Sequence, residues 1–154
     1  IEEIDPASEE ARALIAALDA ELAQRYPAEP IFGIDVPAFK AAGGVLLVLR
    51  RAGVALACGA YRPHAPGVAE IKRMFVQSNA RGRGYSRLLL QELERRAQSA
   101  GFRELLLETG ERQPEAIGLY EANGYKRVPR FGEYVDNLSS VCFAKTLANC
   151  AAQK

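Results

Sequence analysis

The stretch from Val68 to Ala100 most constrains the fold, because its pattern changes from strand to helix across a glycine-containing loop. Val68 to Val76 alternates in the manner of a β-strand, whereas Tyr85 to Ala100 has apolar residues at helical spacing. The loop between them, Ser78 to Gly84, is polar. A strand joined to a helix in this way is typical of α/β proteins, so we expect helices packed on a sheet.

The rest of the chain continues this alternation. Helices are predicted over Ala7 to Arg25, Val36 to Ala41 and Pro114 to Ala122, and strands over residues 1–4, Val45 to Arg51, Val54 to Tyr61, Glu104 to Thr109, Tyr125 to Val128 and Ser140 to Thr146. Asp5-Pro6 is the predicted start of the first helix, and Pro63 to Gly67 a break between strands. We therefore expect one α/β domain over residues 1–147, with a mixed sheet flanked by helices on both faces, and a frayed tail over 148–154.

Composition excludes several classes of protein. The chain has 154 residues, of which 49% are hydrophobic, and its 20 Lys and Arg against 19 Asp and Glu give a net charge of +1. That charge is too small for long-range attraction to nucleic acid or membrane. No apolar run is long enough to span a bilayer and no secretory pattern opens the chain, which favours the cytoplasm. We expect no metal, since Cys58, Cys142, Cys150 and the single His64 lack ligand spacing.

The segment most informative about function is Arg81-Gly82-Arg83-Gly84-Tyr85-Ser86-Arg87. It lies at a predicted helix N-terminus, where free backbone N–H groups and the helix dipole stabilise an anion. Its spacing is neither that of a Walker-type phosphate loop nor that of a dinucleotide fingerprint. Two other interpretations stay open, namely a plain loop with solvated arginines and a contact to single-stranded nucleic acid through the arginines and Tyr85.

Arg81-x-x-Gly84-x-Ser86 resembles the acyl-CoA-binding motif of the GNAT acetyltransferases, with Ser86 where the family usually has Gly or Ala. The stretch from Ala116 through Tyr120 to Gly124-Tyr125 resembles a second motif of the same family. The resemblance implies a GNAT-like, mostly antiparallel sheet. It also implies acetyl-CoA as cosubstrate and acetyl transfer to a primary amine by direct attack in a ternary complex.

The resemblance also assigns residues to the cosubstrate. The implied cofactor-binding residues are Phe75, Val76, Arg81, Gly82, Arg83, Gly84, Tyr85, Ser86, Arg87, Gln113 and Tyr120. Among these, the end of the strand at Phe75 and Val76 should bond the pantetheine arm, and the backbone of the loop should hold the pyrophosphate. Gln113 stands where the family often has Asn.

Two residues are candidates for catalysis by this resemblance. Tyr120 would donate a proton to the departing CoA sulfur, and Glu70, eleven positions before Arg81, would accept the proton of the amine. The alternatives are an aromatic core contact for Tyr120 and a structural ion pair with an arginine or Lys72 for Glu70. Strand alternation predicts that Glu70, Lys72, Met74 and Val76 share one face.

The acceptor amine is left open between a small molecule and a peptide. We expect its pocket to come from Tyr26 to Asp35, Arg62 to His64 and Arg130 to Tyr134. Within these segments Glu29, Asp35 and Glu133 favour a cation, whereas Arg62 and Arg130 favour an anion. Exposed edge strands predict a possible homodimer. The main rival function is a noncatalytic acyl-CoA-binding sensor or interaction module.

Overall fold

The computed structural model describes residues 1–27 and 32–147. Its helices are α1 Glu9–Arg25, α2 Val36–Ala41, α3 Tyr85–Ser99 and α4 Pro114–Ala122, and its strands are β1 Glu2–Ile4, β2 Val45–Arg51, β3 Val54–Ala65, β4 Val68–Val76, β5 Glu104–Gly110, β6 Lys126–Val128 and β7 Ser140–Thr146. Every helix and strand predicted from the sequence is present. The predicted tail over 148–154 lies outside the described residues.

The strands form one sheet in the order β1-β2-β3-β4-β5-β7-β6. Only the β4–β5 pair is parallel, and the other neighbours are antiparallel. One face packs against α1 and α2 through residues such as Leu14, Leu18 and Phe39, while the other packs against α3 through Leu89 and Leu93. The predicted α/β fold, a mixed and mostly antiparallel sheet with helices on both faces, is confirmed.

Two element boundaries differ from the prediction. Helix α1 begins after Ser8, whose hydroxyl accepts a hydrogen bond from the Ala11 N–H at 3.2 Å, while Asp5 closes the preceding turn instead. Strand β3 continues through Pro63 to Ala65, so the predicted break shrinks to a turn at residues 66–67. Proline is tolerated there because β2 begins opposite Tyr61, so the later residues of β3 have no partner on that side.

Strand β4 contains a β-bulge in its second half. Cys58 and Ala60 are two residues apart on β3, but their partners on β4, Phe75 and Lys72, are three residues apart. Arg73, inside the bulge, has a φ of 59°, an uncommon value for a residue with a side chain. The additional residue reverses the alternation of side chains along the remainder of the strand.

The bulge shows that the prediction of a shared face for Glu70, Lys72, Met74 and Val76 was wrong. Met74 and Val76 pack into the core on the α3 side of the sheet. Lys72 lies opposite Ala60, which belongs to the core on the α1 side, and Glu70 precedes it by one strand period. Strict alternation fails here because it assumes a regular pleat.

The two parallel strands separate where the bulge begins. Pairing between β4 and β5 runs from Val68 opposite Glu104 to Ile71 opposite Leu107 and ends there. The remaining lengths, residues 72–76 of β4 and 108–110 of β5, therefore diverge as the two arms of a fork. Backbone polar groups along the arms are left for another partner, which makes the fork the natural place for a ligand.

Candidate functional site

A cavity of about 440 Å³ occupies the fork between β4 and β5. Residues 71–76 of β4 form one wall, residues 108–110 of β5 form another, and α1, α4 and residues from the 131–139 segment complete it. At one end the cavity reaches the N-terminus of α3. It thus connects a helix end to the point where the sheet opens.

Most residues predicted to bind the cosubstrate lie together on this cavity. The lining includes Phe75, Val76, Arg81, Gly82, Gly84, Tyr85, Ser86, Arg87, Gln113 and Tyr120. Two predicted residues, Arg83 and Glu70, are not part of the lining. Arg83 is exposed on the loop, and Glu70 is buried behind the cavity wall.

The N-terminus of α3 has the features of an anion site. Its cap residue is Gly84, with a φ of 80°, and Gly82 has a φ of 78°. A Cβ atom added at either glycine would have nothing within 4 Å, so both face open space. Since glycine offers no side chain to cap the helix, the first-turn N–H groups and the positive end of the dipole face the cavity.

Arg81 is held by contacts within the protein. Its Nε donates to the Val76 carbonyl at 2.9 Å, its Nη2 donates to Glu21 at 2.6 Å, and its guanidinium lies 5.6 Å from the Phe75 ring centroid. Glu21 is also part of the cavity lining. Arg81 therefore ties the glycine loop to both β4 and α1 while presenting positive charge at the cavity.

Gln113 lies between the end of β5 and α4. Its side-chain oxygen accepts a hydrogen bond from the Gly110 N–H at 3.1 Å. The neighbouring Arg112 N–H donates to the hydroxyl of Tyr26 at 2.8 Å, which joins this turn to the end of α1. These bonds fix the cavity wall on the β5 side.

Tyr120 is placed on α4 with its ring in the core and part of its surface on the cavity. Its ring contacts Tyr125 and Phe143, with centroid distances of 5.7 and 6.1 Å. Burial raises the pKa of the Tyr120 phenol, and the nearby Glu108 carboxylate raises it further. The phenol is therefore protonated at neutral pH, as a proton donor requires. The core contact that the sequence left open for Tyr120 is present, and it is compatible with the predicted role as a proton donor.

Glu70 is 1% exposed and both of its oxygens are engaged. One accepts from Arg62 Nε at 3.0 Å, and the other accepts from the Tyr134 hydroxyl at 2.5 Å. The ion pair that the sequence left open for this residue is thus present. Glu70 supports the wall of the cavity from behind.

Glu108 is a carboxylate that reaches the cavity from the end of β5, and sequence reasoning missed it. It is half-buried near the end of β5 and accepts a hydrogen bond from the Ser140 hydroxyl at 2.5 Å. Burial raises the pKa of its carboxyl, an effect that Ser140 and Lys72 oppose. Its position could have been found, because ligands in α/β sheets bind beyond the carboxyl ends of parallel strands.

Lys72 was absent from the predicted site residues, whereas Tyr134 belongs to a segment that was expected to form the acceptor pocket. The Lys72 side chain is 4% exposed, and its Nζ donates to the Tyr134 hydroxyl at 2.8 Å and to Glu133 at 3.4 Å. Burial lowers the pKa of this ammonium group, although Glu70 and Glu133 partly compensate. Lys72 and Tyr134 both line the cavity.

The loops expected to form the acceptor pocket contribute unevenly. Tyr134 lines the cavity, but Arg62, Asp35 and Arg130 do not. Asp35 caps α2 by accepting from the Ala38 N–H at 3.3 Å, and Arg130 donates to the Asn137 carbonyl at 3.0 Å. Glu29 lies outside the described residues. Most of the charged side chains that were expected to act on the acceptor therefore form contacts that stabilise the loops.

Within residues 1–27 and 32–147, no cluster of His, Cys, Asp and Glu could hold a metal ion. His64 packs its ring 5.3 Å from that of Phe131. Cys58 and Cys142 are buried free thiols, and burial raises the pKa of Cys58 to about 12, while Cys150 falls outside the described ranges. Among the helices that the structure describes, none is long and apolar enough to cross a membrane.

Known proteins share both the sequence and the architecture. The model of the Acetyltransferase (GNAT) family matches residues 9–125. An "IAA acetyltransferase" from Azospirillum brasilense is 38% identical over 135 residues, which cover 87% of this chain and 88% of the relative. A Klebsiella pneumoniae structure, provisionally described as an acyl-CoA N-acyltransferase, is 34% identical, covers 96% of each chain and has a TM-score of 0.80.

A more distant structure agrees in fold. A GNAT family acetyltransferase from Elizabethkingia anophelis with acetyl-CoA bound is 17% identical, has a TM-score of 0.71 and covers 95% of this chain and 96% of its own. Together with the motifs and the forked sheet, these matches show what kind of protein this is. The chain belongs to the GNAT family of acetyltransferases, enzymes whose general reaction is acyl transfer from acetyl-CoA.

Proposed function

We propose that this enzyme transfers the acetyl group of acetyl-CoA to a primary amine by direct attack in a ternary complex. One observation supports this most strongly: a single cavity joins the glycine-capped N-terminus of α3 to a protonated phenol and a carboxyl at the fork. The helix end suits the pyrophosphate of CoA, and the separated strand β4 offers backbone groups to its pantetheine arm. The predicted residues between Phe75 and Arg87 that line the cavity, together with Gln113, would form the cosubstrate side.

The chemistry requires a proton acceptor for the amine and a proton donor for the thiolate. Tyr120 is protonated and reaches the cavity, so we assign it as the donor. Glu108 reaches the same cavity from the α1 side of the fork, and its raised pKa makes it a stronger base than an ordinary carboxylate. We assign Glu108 as the acceptor in preference to Glu70, because Glu70 is enclosed by Arg62 and Tyr134.

Binding of the cosubstrate can be tested without an acceptor. Thermal unfolding would be followed with acetyl-CoA, CoA and ATP, using Gly84→Glu to place a side chain and a negative charge at the helix end. Ligand at about 100 times its dissociation constant adds roughly 2.7 kcal/mol of stability. The matched control is Gly101→Glu at the other end of α3, where an added Cβ also meets nothing within 4 Å.

We expect stabilisation by acetyl-CoA and CoA but not by ATP, lost in Gly84→Glu and retained in Gly101→Glu. Because both glycines have positive φ, strain from the new side chain affects both variants alike. Absence of any shift with either CoA ligand in the unmodified protein would overturn the proposal.

Turnover separates an enzyme from an acyl-CoA sensor. Tyr120→Phe and Glu108→Gln should each lower kcat by about 10²–10⁴-fold while CoA affinity stays within twofold to threefold of the parent, because they remove proton transfer rather than binding. Glu70→Gln tests the competing assignment. If Glu70→Gln abolishes turnover with unchanged stability and Glu108→Gln does not, the roles of the two carboxyls are reversed.

The acceptor screen should include small-molecule amines, peptides with a free amino group and, from the name of the 38% identical relative, IAA. Transfer to none of them by a protein that binds acetyl-CoA would favour the sensor. A cytoplasmic location and a homodimer stay predictions from the sequence.

A further inference from the structure

Two consecutive cationic side chains line the cavity at the fork. Lys72 and Arg73 both belong to the lining, and each side chain is 4% exposed. In a regular strand, neighbours point to opposite faces, but the left-handed conformation of Arg73 turns both toward the α1 side. Lys72 contacts the 133–134 segment, and Arg73 contacts Asp19 of α1.

These two cations pair with carboxylates that lie outside the cavity. Lys72 Nζ lies 3.4 Å from Glu133, which is 42% exposed, and 4.0 Å from the buried Glu70, while Arg73 pairs with Asp19, 39% exposed, at 2.6 Å. None of the three carboxylates lines the cavity. Arg73 Nε is buried and has no hydrogen-bond partner. A buried donor without a partner costs free energy, and the carboxylate that pairs with Arg73, that of Asp19, lies toward solvent.

An aromatic pair lies beside the cations. The rings of Phe32 and Tyr134 meet edge-on with centroids 5.0 Å apart, and both residues line the cavity. Tyr134 accepts the hydrogen bond of Lys72. Gly33, next to Phe32, brings its backbone so close to Arg73 that an added Cβ would lie 3.4 Å from Nη2. Positive charge and an apolar aromatic surface are therefore adjacent in one compartment.

This inference rests on the proposed function: we propose that the acceptor is an amino carboxylate with an aromatic or large apolar body, such as an apolar amino acid. Its carboxylate pairs with Lys72 and Arg73, its body packs on Phe32 and Tyr134, and its nitrogen is directed to Glu108. The neutral amine forms a C–N bond with the thioester carbon as the C–S bond breaks. Glu108 takes the proton lost by nitrogen, and Tyr120 protonates the CoA thiolate.

The test compares acceptors that differ only in the carboxylate. Formation of free CoA thiol would be measured for L-phenylalanine against phenethylamine and for L-leucine against isopentylamine. A charged hydrogen bond contributes about 1.5–3 kcal/mol, so each acid should have a kcat/KM at least about tenfold above its amine. Equal or faster transfer to the amines, with acetyl-CoA binding intact, would overturn this inference and leave the proposed function standing.

Variants identify the residues responsible. Arg73→Met and Lys72→Met should bring the acid-to-amine ratio of kcat/KM close to one. Because both rates are proportional to the concentration of folded protein, partial unfolding of a variant does not change this ratio. Asp19→Asn removes the carboxylate that competes for Arg73, so it should lower KM for L-phenylalanine without changing KM for phenethylamine. Lys126→Met, which removes an exposed lysine on β6, is the matched control and should leave the ratio unchanged.

A binding measurement separates this inference from failure of turnover. 3-Phenylpropanoate, which has no amine, would be titrated into the protein saturated with CoA while thermal unfolding is followed. Stabilisation that is lost in Arg73→Met supports the carboxylate site even if no acceptor turns over, in which case the proposed acetyl transfer fails alone. Absence of stabilisation together with an acid-to-amine ratio near one would refute the site.

Discussion

Replacing Ser140 with alanine should raise the pKa of Glu108 further above its ordinary value. The Ser140 hydroxyl donates to a Glu108 oxygen at 2.5 Å, and Asn137 donates to the Ser140 oxygen at 2.9 Å, which directs the hydroxyl proton toward the carboxylate. The bond stabilises the ionised form of Glu108, so it lowers a pKa that burial raises. Without this hydrogen bond, burial should raise the pKa of Glu108 further.

The size of the effect follows from the type of bond. A hydrogen bond to a charged group contributes about 1.5–3 kcal/mol, and the lower figure already corresponds to about tenfold in the deprotonation equilibrium. Below the pKa of Glu108, kcat/KM should therefore fall by about tenfold or more in Ser140→Ala. On the high-pH plateau, where Glu108 is ionised in both proteins, the rate should not change.

The assay is a pH titration of the carboxyl carbon by NMR in protein labelled on glutamate. Glu108→Gln identifies the signal, and Ser99→Ala, at the exposed end of α3, is the control. The other charges facing Glu108 allow the direction of the pKa change to be tested, because Lys72 lowers the pKa of Glu108 whereas Glu70 and Glu133 raise it. An unchanged titration in Ser140→Ala would refute the reasoning, as would a downward movement in Lys72→Met.

Further variants test other parts of the structure. Glu21→Gln should strengthen CoA binding by about twofold to fivefold in calorimetry, since it removes an anion from the cavity and exposed ion pairs contribute at most about 1 kcal/mol; weaker binding would mean that Glu21 positions Arg81 productively. Tyr134→Phe should lower the free energy of unfolding by about 1–3 kcal/mol, because buried Glu70 loses a donor, and equal stability by urea denaturation would contradict this. Gly110→Ala should cost about 1–3 kcal/mol, as its Cβ would lie 1.9 Å from the Tyr26 hydroxyl, whereas Gly118→Ala, with nothing within 4 Å, should stabilise α4 by about 0.5–1 kcal/mol. Equal effects of the two alanine substitutions would show that the Tyr26 contact relaxes at little cost.

Local patterns were sufficient to predict the elements of the fold. The strand over Val68–Val76 and the helix over Pro114–Ala122 have the predicted bounds, because periodicity and flanking glycine or proline residues act within a few positions. The start of α1 was missed because Asp5 and Ser8 are both good caps and only tertiary packing selects between them. Strand order depends on contacts between distant segments, and the family resemblance implied only that the sheet is mostly antiparallel.

The cosubstrate side of the cavity was easier to predict than the acceptor side. Residues 81–87 are contiguous, so one local motif brings them to the N-terminus of α3. The acceptor side instead combines α1, β4, β5 and the segment around Tyr134, and no short pattern relates their residues. Glu70 was chosen from its distance along the chain to Arg81, and Glu108 was not considered, whereas the cavity depends on which carboxyl lies beyond the last paired residue of its strand.

The bulge at Arg73 links these differences to function. A regular β4 would keep pairing with β5 beyond Ile71 and would bury its backbone groups in the sheet. It would also send Arg73 to the α3 side, away from Asp19. One extra residue on β4 therefore accompanies both the open fork and the adjacent cations. A non-glycine residue in the left-handed conformation costs about 1–3 kcal/mol, a cost that glycine at position 73 would avoid. Arginine is therefore expected here only if its side chain contributes more free energy than this cost. The Asp19 carboxylate is 39% exposed, so its pair with the buried Arg73 contributes less than a fully buried pair, which makes a ligand carboxylate the stronger explanation for an arginine there.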